Sequence, residues 1–244
     1  MKMYVGITDF DWFTILKQAN CDEVNFWKPS GRINFKALNE GDLFLFKTHS
    51  PRNYIVGGGI FLKFSILPSS LAWDAFGIAN GANSMMELND RIYRYKKTDH
   101  FSDPDPQIGC IILSMPFYFD EKDWNSNIVQ GKTYKTSEPI GLSLYKQVQD
   151  RLKVREALQS YQVNEDTLAN RYGKEQIIRS RVGQGAFKVM IADSYHRRCA
   201  ITGEKTLPVL EAAHIKPYSM NGPHEITNGL LLRSASTLYL TVAT

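Results

Sequence analysis

Three observations predict an α+β protein. About the first 120 residues carry short apolar runs bounded by Gly, Asp and Pro, with helices between them and no strand–helix–strand alternation. The stretch that follows has apolar residues at helical spacing. The last third is basic and holds a His and an Asn in a short motif. Together they predict a small mixed β-barrel with flanking helices, a helical linker and a C-terminal module.

The chain of 244 residues is long enough for one large or two modest domains, and 43% hydrophobic with 22% charged residues supports a real core. No apolar run approaches the ~20 residues that span a bilayer, which excludes a helical membrane protein. Acidic residues enter at Asp9, too early for a secretory signal, so a cytoplasmic location is expected. Cys21, Cys110 and Cys199 form no C-x-x-C pair, against both a disulfide framework and a cysteine-rich zinc site. The net charge is +4, and all of it lies in residues 138–244, residues 1–137 being balanced. A basic second part suits a polyanion, since each Lys or Arg near a phosphate releases a counterion.

The elements follow in order. Tyr4–Ile7 is a short apolar start, and Asp9–Lys17 is expected as a helix. Glu40-Gly-Asp42 is a turn before Leu43–Lys47, a strand without alternation and therefore buried on both faces. Tyr54–Lys63 is the next strand, with three glycines that permit a bulge or a close backbone approach. Ile108–Ser114 is another buried strand, and the chain from Asp120 to Ser137 is polar and turn-rich. Beyond Pro139, Leu144, Val148 and Leu152 recur at i+4, which marks an amphipathic helix reaching to about Gln159. A basic connector runs from Tyr172 to Gly185, and Gly185–His196 is a second helix. The divisions are placed at 1–137, a helical linker at 138–170, and the C-terminal module at 171–244.

Reactive chemistry concentrates in Leu210-Glu-Ala-Ala-His-Ile-Lys-Pro-Tyr218 and Asn228-Gly-Leu-Leu-Leu-Arg233. Phosphodiester hydrolysis needs a base to activate water, a cation on the phosphate oxygens and a scaffold that holds both. His214 is the best general-base candidate; Asn228 can bridge the loop through its amide, and Gly229 allows a tight turn. With Cys199-Ala-Ile-Thr-Gly203 and the lead-in segments Arg181–Lys188 and Tyr195–Cys199, these motifs resemble the HNH endonuclease family and its ββα-metal fold. The resemblance implies that His214 is the catalytic base, Asn228 the structural Asn, and Mg²⁺ or Mn²⁺ the cofactor. Arg179, Arg181, Lys188, Arg197, Arg198 and Lys216 are candidates for the DNA backbone. The metal ligands stay unassigned. Many members carry an Asp or His just before the base, where this chain has Ala213; Glu211 points to the other strand face, and His224 reads as a solvated turn residue.

After Asn-Gly-Leu-Leu-Leu the family continues with a pattern like Asp-x-His-x-Leu-Phe-Asp and a helix, and that His binds the metal. This chain has Ala235-Ser-Thr-Leu-Tyr-Leu-Thr241 instead, so the module is expected to lack its final helix. A coding string for Ser-Asp-Ile-His-Thr-Leu-Phe-Asp-Arg-Gly-Tyr that loses the A of its Asp codon reads as Ser234–Thr244. A one-nucleotide deletion is therefore expected, with impaired catalysis as its consequence.

In the first part, Asn25-Phe-Trp27, Leu38–Ser50 and Ile55–Ile60 resemble the EVE domain of the PUA-like superfamily over about residues 1–120. That superfold includes readers of modified bases. A reader must flip the base out and hold it between aromatic faces, with polar groups for its edge. Trp27 and Trp73 are the leading faces, ahead of Phe76, Tyr118 and Trp124. Ser30, Asp74 or Ser114 would supply polar contacts, with Lys28, Arg32, Lys47 and Arg52 flanking them at the phosphates.

The two resemblances imply a modification-dependent restriction endonuclease that recognises 5-methyl- or 5-hydroxymethylcytosine in double-stranded DNA and cuts nearby. A single HNH site cutting both strands implies a homodimer. The alternative is a protein that binds modified DNA without cutting it. A third reading is a PUA-like RNA-binding protein with a vestigial HNH remnant.

Overall fold

The run Leu43-Phe-Leu-Phe46 has no polar position to give to solvent, and in a computed structural model every residue of its strand is buried. The structure describes residues 1–32, 34–119, 128–163 (side chains as far as 153), 183–217, 222–223 and 225–234. The strands are β1 (Lys2–Thr8), β2 (Glu23–Lys28), β3 (Leu43–Thr48), β4 (Ile55–Pro68), β5 (Gln107–Tyr118) and β6 (Thr133–Lys135). They form one sheet in the order β2-β5-β4-β3-β1-β6, parallel between β1 and β3 and antiparallel elsewhere.

Glycines let the sheet bend. A Cβ at Gly57 would lie 2.2 Å from the Phe117 carbonyl oxygen, so β4 and β5 meet there at a spacing that only glycine permits. The β4–β5 register slips between Gly58 and Ile60 and again between Phe61 and Lys63, each slip adding local twist. The sheet curls as a result. Phe26 of β2 packs on Phe44 of β3 with ring centroids 4.6 Å apart, although two strands lie between them in the hydrogen-bonded order.

Helices cover both faces. Trp12, Phe13 and Leu16 of α1 (Phe10–Ala19) fill the concave side with Phe44, Phe46, Phe61 and Leu113. On another face α2 (Ser69–Phe76) and α3 (Met85–Lys96) bury Leu71, Phe76, Leu88 and Ile92 against Ile108 and Ile112. Neither helix is among the elements expected from the sequence, although Ser84-Met-Met-Glu87 is a capping box, with Glu87 N donating to Ser84 Oγ at 3.1 Å, and Leu88 and Ile92 recur at i+4 on one buried face.

The helix read as a linker is α4 (Pro139–Val163). Its Leu144 and Val148 are part of a core with Met3, Val5, Leu45 and Tyr134, so its first half belongs to the N-terminal unit. Strand β6, which pairs with β1 just before this helix, lies in the stretch read as polar turns.

Helix α5 (Gln184–Ser194) has two buried sides. Ala186 and Val189 enter the α2–α3 core, while Phe187, Ile191 and Ala192 join Cys199, Leu210, Leu231 and Leu232. Those last residues lie in and beside a hairpin of β7 (Leu210–His214) and β8 (Gly229–Arg233). One helix thus serves both units.

Candidate functional site

The hairpin is built around His214 and Gly229, which are register partners at the loop end of the β7–β8 ladder. The chain leaves β7 at His214, and Ile215 N donates to the Asn228 carbonyl at 2.9 Å. The buried Asn228 side chain then closes the loop. Its Oδ1 accepts from Lys216 N at 2.8 Å, and its Nδ2 donates to the carbonyls of Lys216 at 3.1 Å and Pro223 at 2.9 Å. An amide is the one short side chain that accepts and donates in this way.

His214 is half-buried, and its imidazole lies flat on the Phe187 ring of α5, centroids 4.0 Å apart and planes 9° apart. Gly229 makes that approach possible, since a Cβ there would stand 2.2 Å from Ile191 Cδ1 and 2.8 Å from Phe187 Cζ. On the far side of β8, Cys199 Sγ accepts hydrogen bonds from Thr202 N at 3.4 Å and Arg233 N at 3.3 Å. Burial pushes the Cys199 thiol up, but the Thr202 side chain and the amides of Thr202, Ile201 and Arg233 outweigh it and bring it to about 7.

A metal would need several hard or imidazole donors around His214. Ala213 has none, and Glu211 is exposed on the opposite strand face. Among the described residues no group of three or more His, Cys, Asp or Glu side chains could hold an ion. The residues around His214 that are described therefore do not make a metal site. His224 and residues 235–244 lie outside the described residues.

Helix α5 is docked on the first unit by charge. The Glu23 carboxylate accepts from Gly185 N at 2.7 Å and Ala186 N at 2.9 Å. Burial pushes the Glu23 carboxyl up, against the two amides that favour its charge. Asp193 binds Lys63 Nζ at 2.8 Å and the Ser65 hydroxyl at 3.0 Å. Lys188 pairs with Asp74, and Arg197 donates to the Ile66 carbonyl.

These pairings bear on the residues chosen from sequence. Lys188 and Arg197, expected at the DNA backbone, are engaged within the protein, and Asp74, expected in a base pocket, is the partner of Lys188. Arg198, Lys216 and Arg32 are exposed, while Arg179 and Arg181 lie outside the described residues.

A cavity of about 320 Å³ opens where β1 and β2 face each other without pairing. Trp12, Phe26, Trp27, Lys28, Thr8, Asp9, His49, Arg91 and Tyr95 are among its walls. Two indoles are fixed by one acceptor, the Asn80 carbonyl taking hydrogen bonds from Trp12 Nε1 and Trp27 Nε1, each at 3.0 Å. At the rim the Tyr95 hydroxyl donates to Asp9 Oδ2 at 2.5 Å, and His49 Nε2 lies 3.4 Å from Asp9 Oδ1. Burial and then the Asp9 bond push the Tyr95 hydroxyl up to about 12.

Of the residues expected in a base pocket, Trp27 lines this cavity, as does the flanking Lys28. Ser30 is exposed next to the lining residue Pro29, and its Oγ accepts from Arg32 N at 3.4 Å. Trp73 packs on the α2–α3 core and Tyr118 is buried in the aromatic core, so the structure does not bring them to the cavity. Trp124 lies outside the described residues. Sequence reasoning missed Trp12, Asp9, Arg91 and Tyr95. The only signal was an Asp-x-x-Trp pair in the first helix, and it pointed as well to the core as to a pocket.

Among the described residues no helix is long and apolar enough to cross a membrane. A search among curated proteins finds no match to this chain. Residues 199–235, which contain the Cys199 turn, His214 and Asn228, match the HNH endonuclease family.

Proposed function

We propose that the protein is a modification-dependent DNA endonuclease, with its HNH domain as the cutter and its N-terminal sheet as an EVE-like, PUA-like reader of modified cytosine. The observation that carries the nuclease half is the Asn228 clasp on the loop that leaves His214, within the segment matched to HNH endonucleases. His214 takes the proton of the attacking water, and the amide clasp with the Phe187 stack holds its ring. HNH nucleases generally use a divalent cation, which would stabilise charge on the phosphate oxygens.

The cavity between β1 and β2 supports the reader half. It has aromatic faces, a carboxylate, a phenol and a guanidinium on its walls, and it has the size of a small-molecule site. A flipped 5-methyl- or 5-hydroxymethylcytosine would stack on Trp12 or Trp27 and present its polar edge to Asp9 and Tyr95. Lys28 would meet the phosphates beside the flipped nucleotide.

Cutting by this chain is weak in the same reading, because Thr237 stands where the family places its metal-binding His. That observation favours, as a second reading, a protein that binds modified DNA without cleaving it. Binding and nicking of duplexes that differ in one cytosine modification, with Mg²⁺ or Mn²⁺ added, test both. Preferential binding to the modified duplex with feeble nicking is the expected result. Ala235→Asp, Ser236→Ile and Thr237→His together raise nicking, and His214→Ala removes it. Equal binding to modified and unmodified duplex excludes the reader role.

A further inference from the structure

We infer that Glu23 is a positioning residue for His214, acting from the N-terminal sheet through helix α5. The inference rests on the reading of His214 as the general base.

The N-terminus of α5 has no cap of its own. Gly183 at the N-cap carries no side chain, and the first turn has no acidic residue. Helix starts leave unpaired amides that a carboxylate can satisfy, and the helix dipole adds to the attraction. Glu23, 162 positions away in sequence, supplies both oxygens, to Gly185 N at 2.7 Å and to Ala186 N at 2.9 Å. The glycines make room for it. A Cβ at Gly183 would stand 2.5 Å from Glu23 Cδ, and one at Gly185 would stand 2.8 Å from Oε1. Gly183 is shaped around the carboxylate, and Gly185 around both the carboxylate and the Ala75 carbonyl oxygen of α2, 2.4 Å from such a Cβ, which indicates a specific seat for that group rather than a surface ion pair.

The residue after Ala186 is Phe187, whose ring lies flat against His214. One turn further on, Ile191 meets Gly229, the register partner of His214. The imidazole therefore takes its plane from α5, and the ring nitrogens that would handle the water proton stay in that plane. Glu23 in turn holds the N-terminal end of α5, next to Phe187, while Lys188, Asp193 and Arg197 anchor the helix further along. Glu23 begins β2, and Trp27 and Lys28 at the end of the same strand line the cavity. A short strand thus joins the wall of one site to the helix that orients the other.

The test uses the full chain and the ring C–H resonances of its five histidines. A ring stacked on Phe187 has C–H protons displaced upfield by the benzene current, so His214 stands apart, and Phe187→Leu returns it to an ordinary position. Glu23→Gln replaces one acceptor oxygen with an NH₂ group facing an amide, and Glu23→Ala removes both. The expected result is that the His214 resonance in the Glu23 variants moves toward its place in Phe187→Leu, while His49 and His100 stay fixed. Nicking, where measurable, falls by roughly ten- to a hundredfold in kcat with KM for DNA little changed, as small misplacements of a catalytic group do. A His214 resonance unmoved in folded Glu23→Gln overturns the inference. So does movement of all five histidines together, which marks a general structural role. If His214→Ala retains full nicking, the general-base reading fails while the resonances still report on the link from Glu23 to His214.

Discussion

Asn228 and Lys216 are joined through both of their hydrogen-bonding ends: the Asn228 amide oxygen accepts from Lys216 N at 2.8 Å, and its nitrogen donates to Lys216 O at 3.1 Å. With the third bond to Pro223 O, one side chain holds the loop as a backbone ladder would. The position of His214 at the end of β7 depends on this, because the loop begins at the next residue.

Asn228→Asp keeps the acceptor and loses the donor, leaving the Lys216 and Pro223 carbonyls facing an oxygen. Each buried group left unpaired costs about 1–3 kcal/mol, and about 2–4 °C of melting midpoint accompanies each kcal/mol in a chain of this size. Thermal melting is expected to show a fall of several degrees, with nicking lost. An unchanged midpoint would remove Asn228 from its structural role.

Trp27 and Trp73 both pack on the α2–α3 core, and of the two Trp27 alone also lines the cavity. Trp27→Ala is expected to weaken binding to a duplex with one modified cytosine by about 1–3 kcal/mol, the worth of one base–aromatic stack. Trp73→Ala is expected to lower the melting midpoint and leave the preference for modified DNA intact, since Trp73 packs against the α2–α3 core. Titration of both variants with modified and unmodified duplex decides the matter. A selective loss in Trp73→Ala would relocate the reader.

Gly81 holds the Trp12 wall of the cavity. Its φ of +71° lies in the left-handed region, and a Cβ there would stand 2.1 Å from Trp12 Cδ1. Gly81→Ala adds about 1–2 kcal/mol of backbone strain and forces Trp12 away from the Asn80 carbonyl. Loss of stability by denaturant titration, with a changed tryptophan emission, is the expected pair of results.

Cys199 makes stability depend on pH. Its folded thiol, at about 7, lies below the ~8.5 of an unfolded cysteine. The folded state thus releases the proton first, and the added stability is complete above the unfolded value. It is lost as pH falls through about 7. Melting midpoints from pH 6 to 9 are expected to rise more in the wild type than in Cys199→Ala. Parallel curves would show that the sulfur carries no such charge.

The HNH motif was legible because its parts are local. β7, the loop and β8 span 24 residues from Leu210 to Arg233, and the placement of His214 and Asn228 depends on contacts within that span and on Phe187. The buried strands β3, β4 and β5 were legible for a related reason, since an apolar run without alternation leaves few choices. The cavity was not. Trp27 stood among several aromatic candidates, and selecting it over Trp73 and Tyr118 required knowing that β1 and β2 face each other unpaired. Charge was equally ambiguous. Lys188 and Arg197 look like phosphate ligands in the sequence, but Asp74 and the Ile66 carbonyl lie more than 100 positions away and claim them.

By itself, then, the sequence determined the C-terminal motif, the apolar strands and the helical spacing of Leu144 and Val148, because periodicity and short-range hydrogen bonding act along the chain. Tertiary structure alone decided which tryptophan lines the cavity and which cations remain exposed. It also decided that Glu23 seats the helix on which His214 is stacked. Those outcomes depend on close packing between segments distant in sequence, with α5 packed against the first unit on one side and against the hairpin on the other.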